Sequence, residues 1–271
     1  MSIAEAHDNI ESLIGADDPP PFSIINPDGK SNLLLVCDHA SNVIPRSLGS
    51  LGLDAAALER HIAWDIGAHG LAEEFARRFE ATLVRQVYSR LVIDCNRQPD
   101  AETSIVKVSE HTLVPGNHNL SEAQIAARRN EIFHPYHGAI TEIIDRRLAK
   151  RQPTILLAMH SFTPVYKGES RPWHIGLQYN RDPRLAHLLH DLLAQDETLC
   201  IGDNHPYRVD DAVDYTIPVH GERRHIPHVL FELRHDMIEA KQDQYRWAHR
   251  LAHSLERALA CAPELGTHVP R

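Results

Sequence analysis

Three residues with catalytic potential each follow an apolar run of strand length in the sequence. They are His39, which follows residues 33–37 and Asp38, His160, after residues 154–159, and Glu232, after residues 228–231. Apolar runs of this length predict buried strands, and ligands bind at the carboxyl ends of strands in open α/β sheets. Two imidazoles and a carboxylate are groups that hold a metal ion or activate water beside one. The pattern therefore predicts a metal-dependent site in which the carboxylate is a ligand or a base.

Asp65 is a further acidic residue in an unusual position. The segment from Leu53 to Phe79 has the apolar periodicity of an amphipathic helix, and Asp65 falls on or near its apolar side. A carboxylate there is costly unless it binds something, and residues 63–67 include no lysine or arginine. The alternative is an aspartate that caps or hydrogen-bonds the backbone locally.

A cluster of polar residues follows the predicted strand over residues 82–87. Arg90, Asn96 and Arg97 lie close together in sequence, and a guanidinium group binds a carboxylate through two hydrogen bonds. We predict a clamp for an acidic substrate. A salt bridge from either arginine to Asp94 or Asp100 is the alternative.

Two later arginines are also candidates. Arg171, in a polar loop after the His160 strand, is a candidate for anion contact. Arg234 lies two residues after Glu232, so strand alternation places both side chains on one face, where they could form an ion pair instead of serving catalysis.

Composition limits the classes of partner. The chain has 271 residues, 42% of them hydrophobic, and a formal net charge of -9. This acidic balance argues against nucleic acid and anionic membranes and favours a small-molecule partner.

The four cysteines lack a Cys-x-x-Cys pair, the first residues do not form a signal peptide, and no run reaches membrane-spanning length. We expect a soluble cytoplasmic protein.

The order of the predicted elements indicates the fold class. Residues 1–30 are polar and rich in proline, which predicts an N-terminal arm, and residues 31–271 are expected to form one α/β domain. Predicted strands alternate with amphipathic helices. This alternation favours a three-layer α/β fold with a mostly parallel or mixed central sheet and helices on both faces.

Four segments together resemble the N-formylglutamate amidohydrolase family: residues 37–45, 89–97, 159–162 and 232–236. The likeness covers roughly residues 30 to 255, and the family is distantly similar to zinc carboxypeptidases and aspartoacylases. It implies a zinc-carboxypeptidase-like fold and a zinc enzyme of histidine degradation that hydrolyses N-formyl-L-glutamate to formate and L-glutamate. The resemblance implies that His39 and His160 bind zinc, that Asn96 and Arg97 bind the substrate carboxylate and that Glu232 is the general base.

The sequence departs from the related zinc enzymes at one ligand. Asn42 stands where their His-x-x-Glu pair has a glutamate, and an amide supplies no anionic ligand. We therefore predict Asp65 as the third ligand. Arg90 or Arg234 could meet the negative charge of the reaction intermediate, and Asp38 or Asp94 could orient a metal ligand.

Two alternatives remain open at this stage. One is a related enzyme that acts on another N-acyl amino acid or a short peptide. The other is a binder of acidic metabolites without catalysis, which has lost its metal. The sequence leaves the oligomeric state open, and a divalent metal other than zinc is compatible with the predicted ligands.

Overall fold

The computed structural model describes residues 12–269, which contain a seven-stranded central sheet. In chain order the strands are β1 (Phe22–Ile25), β2 (Leu33–Cys37), β3 (Thr82–Gln86), β4 (Ile155–Phe162), β5 (Ile175–Gln178), β6 (Ile201–Asp203) and β7 (His228–Arg234). Their order across the sheet is β1-β3-β2-β4-β7-β5-β6. Strands β3, β2, β4 and β7 run parallel, whereas β1 and β5 are antiparallel to β3 and β7. The predicted mixed α/β sheet is confirmed.

Helices cover both faces of this sheet. They are α1 (Ala55–Leu58), α2 (Ala68–Phe79), α3 (Glu122–Arg128), α4 (His134–Ala149), α5 (Arg184–Leu193), α6 (Lys241–Cys261) and α7 (Pro263–Thr267). Two short ribbons flank the sheet, one from Val108–Ser109 and Thr112–Leu113 and the other from Val165–Tyr166 and Glu169–Ser170. None of the helices in residues 12–269 combines the length and the apolar character needed to cross a membrane.

Alternation along the central strands divides the apolar side chains between two cores. On β2, Leu33, Leu35 and Cys37 pack on the side of α2, α5 and α6. Leu34 and Val36 face the opposite side, where α4 covers the sheet. Strands buried on both faces read as continuous apolar runs, which explains why the runs before His39 and His160 were recognisable in the sequence.

The predicted N-terminal arm contributes a strand to the sheet. Residues 1–11 of the arm lie outside the described part of the chain, and Phe22–Ile25 forms β1, which pairs antiparallel with β3. This strand covers the β3 edge of the sheet.

The single helix predicted over residues 53–79 is wrong. Helix α1 ends at Leu58, and turns precede α2, which begins at Ala68. Gly67 before α2 has a φ of 79°, and a Cβ at this position would lie 2.2 Å from the carbonyl oxygen of Ile238. Close packing against the segment after β7 thus demands glycine here. Asp65 consequently lies in a turn and not on a helix face.

Candidate metal centre and the adjoining cavity

His39, Asp65 and His160 meet in a buried group that could bind a metal ion. One ligand atom from each of the three residues lies within 4.8 Å of the others. Asp65 Oδ2 is 3.3 Å from His39 Nδ1 and 2.9 Å from His160 Nδ1. Each of the three residues is 2% exposed, so the group is shielded from bulk water.

Three separate elements bring this group together. His39 follows β2, Asp65 lies in the turn before α2, and His160 lies within β4, next to β2. The backbone carbonyl of His39 accepts a hydrogen bond from Asp65 N at 3.0 Å, which joins the turn to the end of β2. Ser161 N also donates to Asp65 Oδ2, at 3.2 Å. The backbone therefore fixes the aspartate between the two imidazoles.

A second carboxylate holds the other ring nitrogen of each histidine. His39 Nε2 lies 2.7 Å from Asp94 Oδ1, and His160 Nε2 lies 2.8 Å from Asp38 Oδ2. A carboxylate accepts hydrogen bonds, so each Nε2 donates one to its carboxylate. Each Nδ1 then faces Asp65, which is the orientation that a carboxylate partner imposes on a metal-binding histidine.

Asp38 is itself held by two residues that the sequence analysis did not identify. Tyr136 and Thr216 donate their hydroxyls to Asp38 Oδ1 at 2.8 and 2.9 Å. Burial alone raises the pKa of Asp38, but the hydrogen bond from His160 and nearby positive charge lower it to about 2. Asp38 therefore remains an anion that accepts three hydrogen bonds.

The same balance of burial and charge acts within the group. Burial lowers the pKa of His160, but hydrogen bonds to Asp38 and Asp65 raise it well above its ordinary value. Burial likewise raises the pKa of Asp65, and the two histidines lower it below its usual range. The protein thus stabilises an ionised carboxylate between two imidazoles.

The donor set fits a zinc ion. Two imidazole nitrogens and one carboxylate oxygen are the protein ligands of many catalytic zinc sites, which leave a position for water or substrate. Asn42 takes no part in the group, because its side chain donates to Leu58 O at 2.9 Å and to Glu59 Oε1 at 3.3 Å. Asp65 is therefore the carboxylate of this group that could supply the anionic oxygen that Asn42 cannot.

Arg90 links the two carboxylates that face His39. Its Nε and Nη2 donate to Asp94 Oδ2 at 3.0 and 2.6 Å, and its Nη1 donates to Asp65 Oδ1 at 3.2 Å. The side chain is 25% exposed and lines the adjoining cavity. The salt bridge from Arg90 to Asp94, one of the alternatives read from the sequence, is thus present.

A cavity of about 390 Å³ opens beside the group, and Glu232 lines it together with His39 and His160. Glu232 pairs with His160 in the β7–β4 register, so both side chains stand on one face of the sheet. Glu232 is 6% exposed, and its Oε2 has no hydrogen-bond partner within residues 12–269. Burial raises the pKa of Glu232 to about 7.

Asn96 and Arg97 also line the cavity. Asn96 Oδ1 accepts from Thr216 N at 3.1 Å, which orients the amide. Arg97 Nη1 donates to Asp214 Oδ1 at 2.5 Å and to Asn96 O at 3.0 Å. The salt-bridge partner of Arg97 is therefore Asp214, which is distant in sequence, and not Asp94 or Asp100.

Arg171 and Arg234 do not line this cavity. The Arg171 guanidinium donates to Tyr207 Oη at 2.7 Å and lies over the ring of Tyr166 at 4.6 Å. Arg234 Nε donates to Asp236 Oδ1 at 2.8 Å, so the predicted alternative of an ion pair with Glu232 is wrong. Because Arg234 bonds to Asp236, its guanidinium group does not neutralise the Glu232 carboxylate.

Several cavity residues escaped the sequence analysis. Gln178, Tyr207, Arg208 and Asp214 line the cavity but belong to segments that carried no recognisable motif. The last three lie in the long loop between β6 and β7. Their only signal was a stretch rich in tyrosine and charged residues, which is equally typical of a solvated loop.

Comparison with known proteins identifies the family and agrees with the fold. A family model described as N-formylglutamate amidohydrolase matches residues 31–239. A solved gene product of Agrobacterium tumefaciens is 36% identical, with a TM-score of 0.90 over 93% of this chain and 100% of that one. The N-formylglutamate amidohydrolase of Ralstonia eutropha is 19% identical and shares the fold, with a TM-score of 0.61 over 88% of this chain and 99% of that one. The curated proteins gave no match. The chain belongs to the N-formylglutamate amidohydrolase family.

Proposed function

We propose that this protein is a zinc-dependent amidohydrolase that cleaves N-formyl-L-glutamate to formate and L-glutamate. The observation that carries the proposal is the buried group of His39, Asp65 and His160, with both histidines oriented by carboxylates, beside a cavity that Glu232 lines. Family membership supports the reaction class. The acidic substrate agrees with the arginines in the cavity wall.

The two histidines and Asp65 would hold the zinc ion. When bound, the ion supplies Lewis-acid chemistry, polarising the formyl carbonyl and lowering the pKa of a water molecule. The protein supplies the orientation of its own donors: Asp94 and Asp38 accept a hydrogen bond from Nε2 of each imidazole and would keep its proton there with the ion bound. The two Nδ1 atoms consequently face a common position beside Asp65.

Glu232 is the proposed general base. Its carboxylate stands beside His160 on the same sheet face, and Oε2 is not engaged by any other group within residues 12–269. It accepts the proton of the attacking water at this oxygen. It then donates that proton to the nitrogen of the leaving amino acid, because an amine must be protonated before it departs from the tetrahedral carbon.

Arg90 and Arg97 have different proposed roles. Arg90 donates three of its N–H groups to Asp65 and Asp94. Its two remaining N–H groups are available to the substrate oxygen that gains negative charge during the reaction. Arg97, together with Asn96, binds the α-carboxylate of the substrate, which then competes with Asp214 for the guanidinium group.

The test combines metal analysis with an activity assay. Protein purified without chelator is expected to contain about one zinc ion per chain and to release formate from N-formyl-L-glutamate. Replacement of His39 or His160 with alanine should remove the metal and the activity together. A chain that binds acidic metabolites without metal or turnover would refute the proposal, as would stoichiometric zinc in both alanine variants.

A further inference from the structure

Gln178 is a buried amide in the cavity wall that has no role in the mechanism above. It is the last residue of β5, is 3% exposed and lines the cavity. Its Nε2 is buried and lacks a hydrogen-bond partner within residues 12–269. Unpaired buried donors are rare because they cost stability, so such a group at a ligand cavity calls for a functional explanation.

Strand register places this amide on the reactive side of the sheet. Gln178 pairs with Leu230 and Gly176 pairs with Glu232 in the antiparallel β5–β7 ladder. Directly paired residues project from the same face, so Gln178 shares that face with Glu232 and, through the β7–β4 pairing, with His160. Strand β7 lies between β4 and β5. The amide is therefore on the side of Glu232 away from the metal ligands.

Arg208 contributes a cation to the same cavity. Its side chain is exposed, lines the cavity and forms no ion pair with any residue from 12 to 269. The loop that carries it begins against β5, where Asn204 N donates to Leu177 O at 3.0 Å and Asn204 Oδ1 accepts from Tyr179 N at 3.0 Å. The loop thus starts beside the strand that ends at Gln178.

We propose that Gln178 and Arg208 bind the side-chain carboxylate of the substrate and so select dicarboxylic N-acyl amino acids. An amide N–H and a guanidinium group together satisfy the two oxygens of a carboxylate. Arg97 remains available for the α-carboxylate, so each acidic group of the substrate meets its own arginine. This inference rests on the proposed function, because it assigns the second acidic group of that substrate.

The test compares two ligands that differ in the side-chain carboxylate. N-formyl-L-glutamate has this group and N-formyl-L-norvaline lacks it. Binding is measured by calorimetry on zinc-loaded Glu232→Gln protein, in which turnover is suppressed. Adding Gln178→Met should raise the Kd for N-formyl-L-glutamate about tenfold or more, because a hydrogen bond to a charged group is lost. The Kd for N-formyl-L-norvaline should change less than about twofold, since it offers no carboxylate there.

Two further variants control the experiment. Gln86 is also a fully buried glutamine whose amide atoms lack partners, but it does not line the cavity, so Gln86→Met should leave the ratio of the two Kd values unchanged. Arg208→Gln, at an exposed position, should raise the Kd for N-formyl-L-glutamate more than the Kd for N-formyl-L-norvaline. Equal losses for both ligands, or no loss, would overturn the inference. Selective binding without hydrolysis by the parent protein would refute the proposed function and leave this inference standing.

Discussion

Replacing Glu232 with glutamine separates catalysis from stability at one position. The amide has nearly the same size as the carboxylate but cannot accept the proton of the attacking water. We expect kcat to fall by roughly 10²–10⁴-fold, equivalent to about 3–5 kcal/mol of transition-state stabilisation, while KM changes little. Zinc content should remain unchanged, because Glu232 does not belong to the ligand group.

The structure also sets the expected effect on stability. Glu232 Oε2 has no partner within residues 12–269, and Arg234 donates to Asp236, so the substitution breaks no ion pair with that arginine. Breaking a buried ion pair costs about 3–5 kcal/mol, which would lower the Tm of a protein of this size by roughly 6 °C or more. We expect a smaller change, measured by calorimetry beside steady-state kinetics.

Glu222 provides a matched control, because it is a buried glutamate that the cavity does not include. Its Oε1 accepts from Arg181 N at 2.6 Å and lies 3.2 Å from His228 Nε2. Glu222→Gln should therefore lower Tm and leave kcat per folded molecule unchanged. Near-normal turnover in zinc-loaded Glu232→Gln protein, or a Tm loss as large as that of the control, would refute the assignment of Glu232 as the base.

Three further outcomes test other parts of the site and the fold. Asp65→Ala should weaken zinc affinity by at least about tenfold in a competition titration, whereas a purely local capping role would leave the affinity unchanged. Arg97→Ala should raise KM for N-formyl-L-glutamate about tenfold or more but have little effect on KM for the analogue with an amidated α-carboxyl group. An equal rise in KM for both substrates would indicate that Arg97 serves only a structural ion pair with Asp214. Burial raises the pKa of Glu222, but hydrogen bonds from His228 and the backbone lower it to about 2, below its usual 4.5. The stability from this carboxylate is present above about pH 4.5 and lost as pH falls towards 2, so Tm curves of wild type and Glu222→Gln should converge in acid.

The parts of the site that were predictable lie at the ends of apolar strands. The runs before His39, His160 and Glu232 are buried on both faces, and parallel pairing of β2, β4 and β7 brings them side by side. That convergence follows from topology, since the carboxyl ends of parallel strands share one edge. The strands themselves extend further than expected, because β4 continues to Phe162 and β7 to Arg234.

The prediction that Asp65 is the third metal ligand was supported by a partly wrong argument, because it placed Asp65 on a helix face. Its segment has helical periodicity, but residues 59–67 are not helical, and Gly67 at the end of this stretch packs against Ile238. Local periodicity cannot reveal a contact between segments so distant in sequence. The same limit applies to Tyr136 and Thr216, which reach Asp38 across 98 and 178 residues, and to Gln178, whose position depends on an antiparallel pairing within a mostly parallel sheet.

The pairing of His160 with Glu232 across β4 and β7 has a consequence for tolerance of insertions and deletions. One residue inserted into or removed from either strand before this pair would turn the affected side chain to the opposite face of the sheet. A shift of two residues would restore the face but move the side chain about 6–7 Å along the strand, out of reach of its neighbour. Insertions and deletions among functional relatives should therefore fall in the connections, such as the loop between β6 and β7. They should be absent from β4 up to His160 and from β7 up to Glu232.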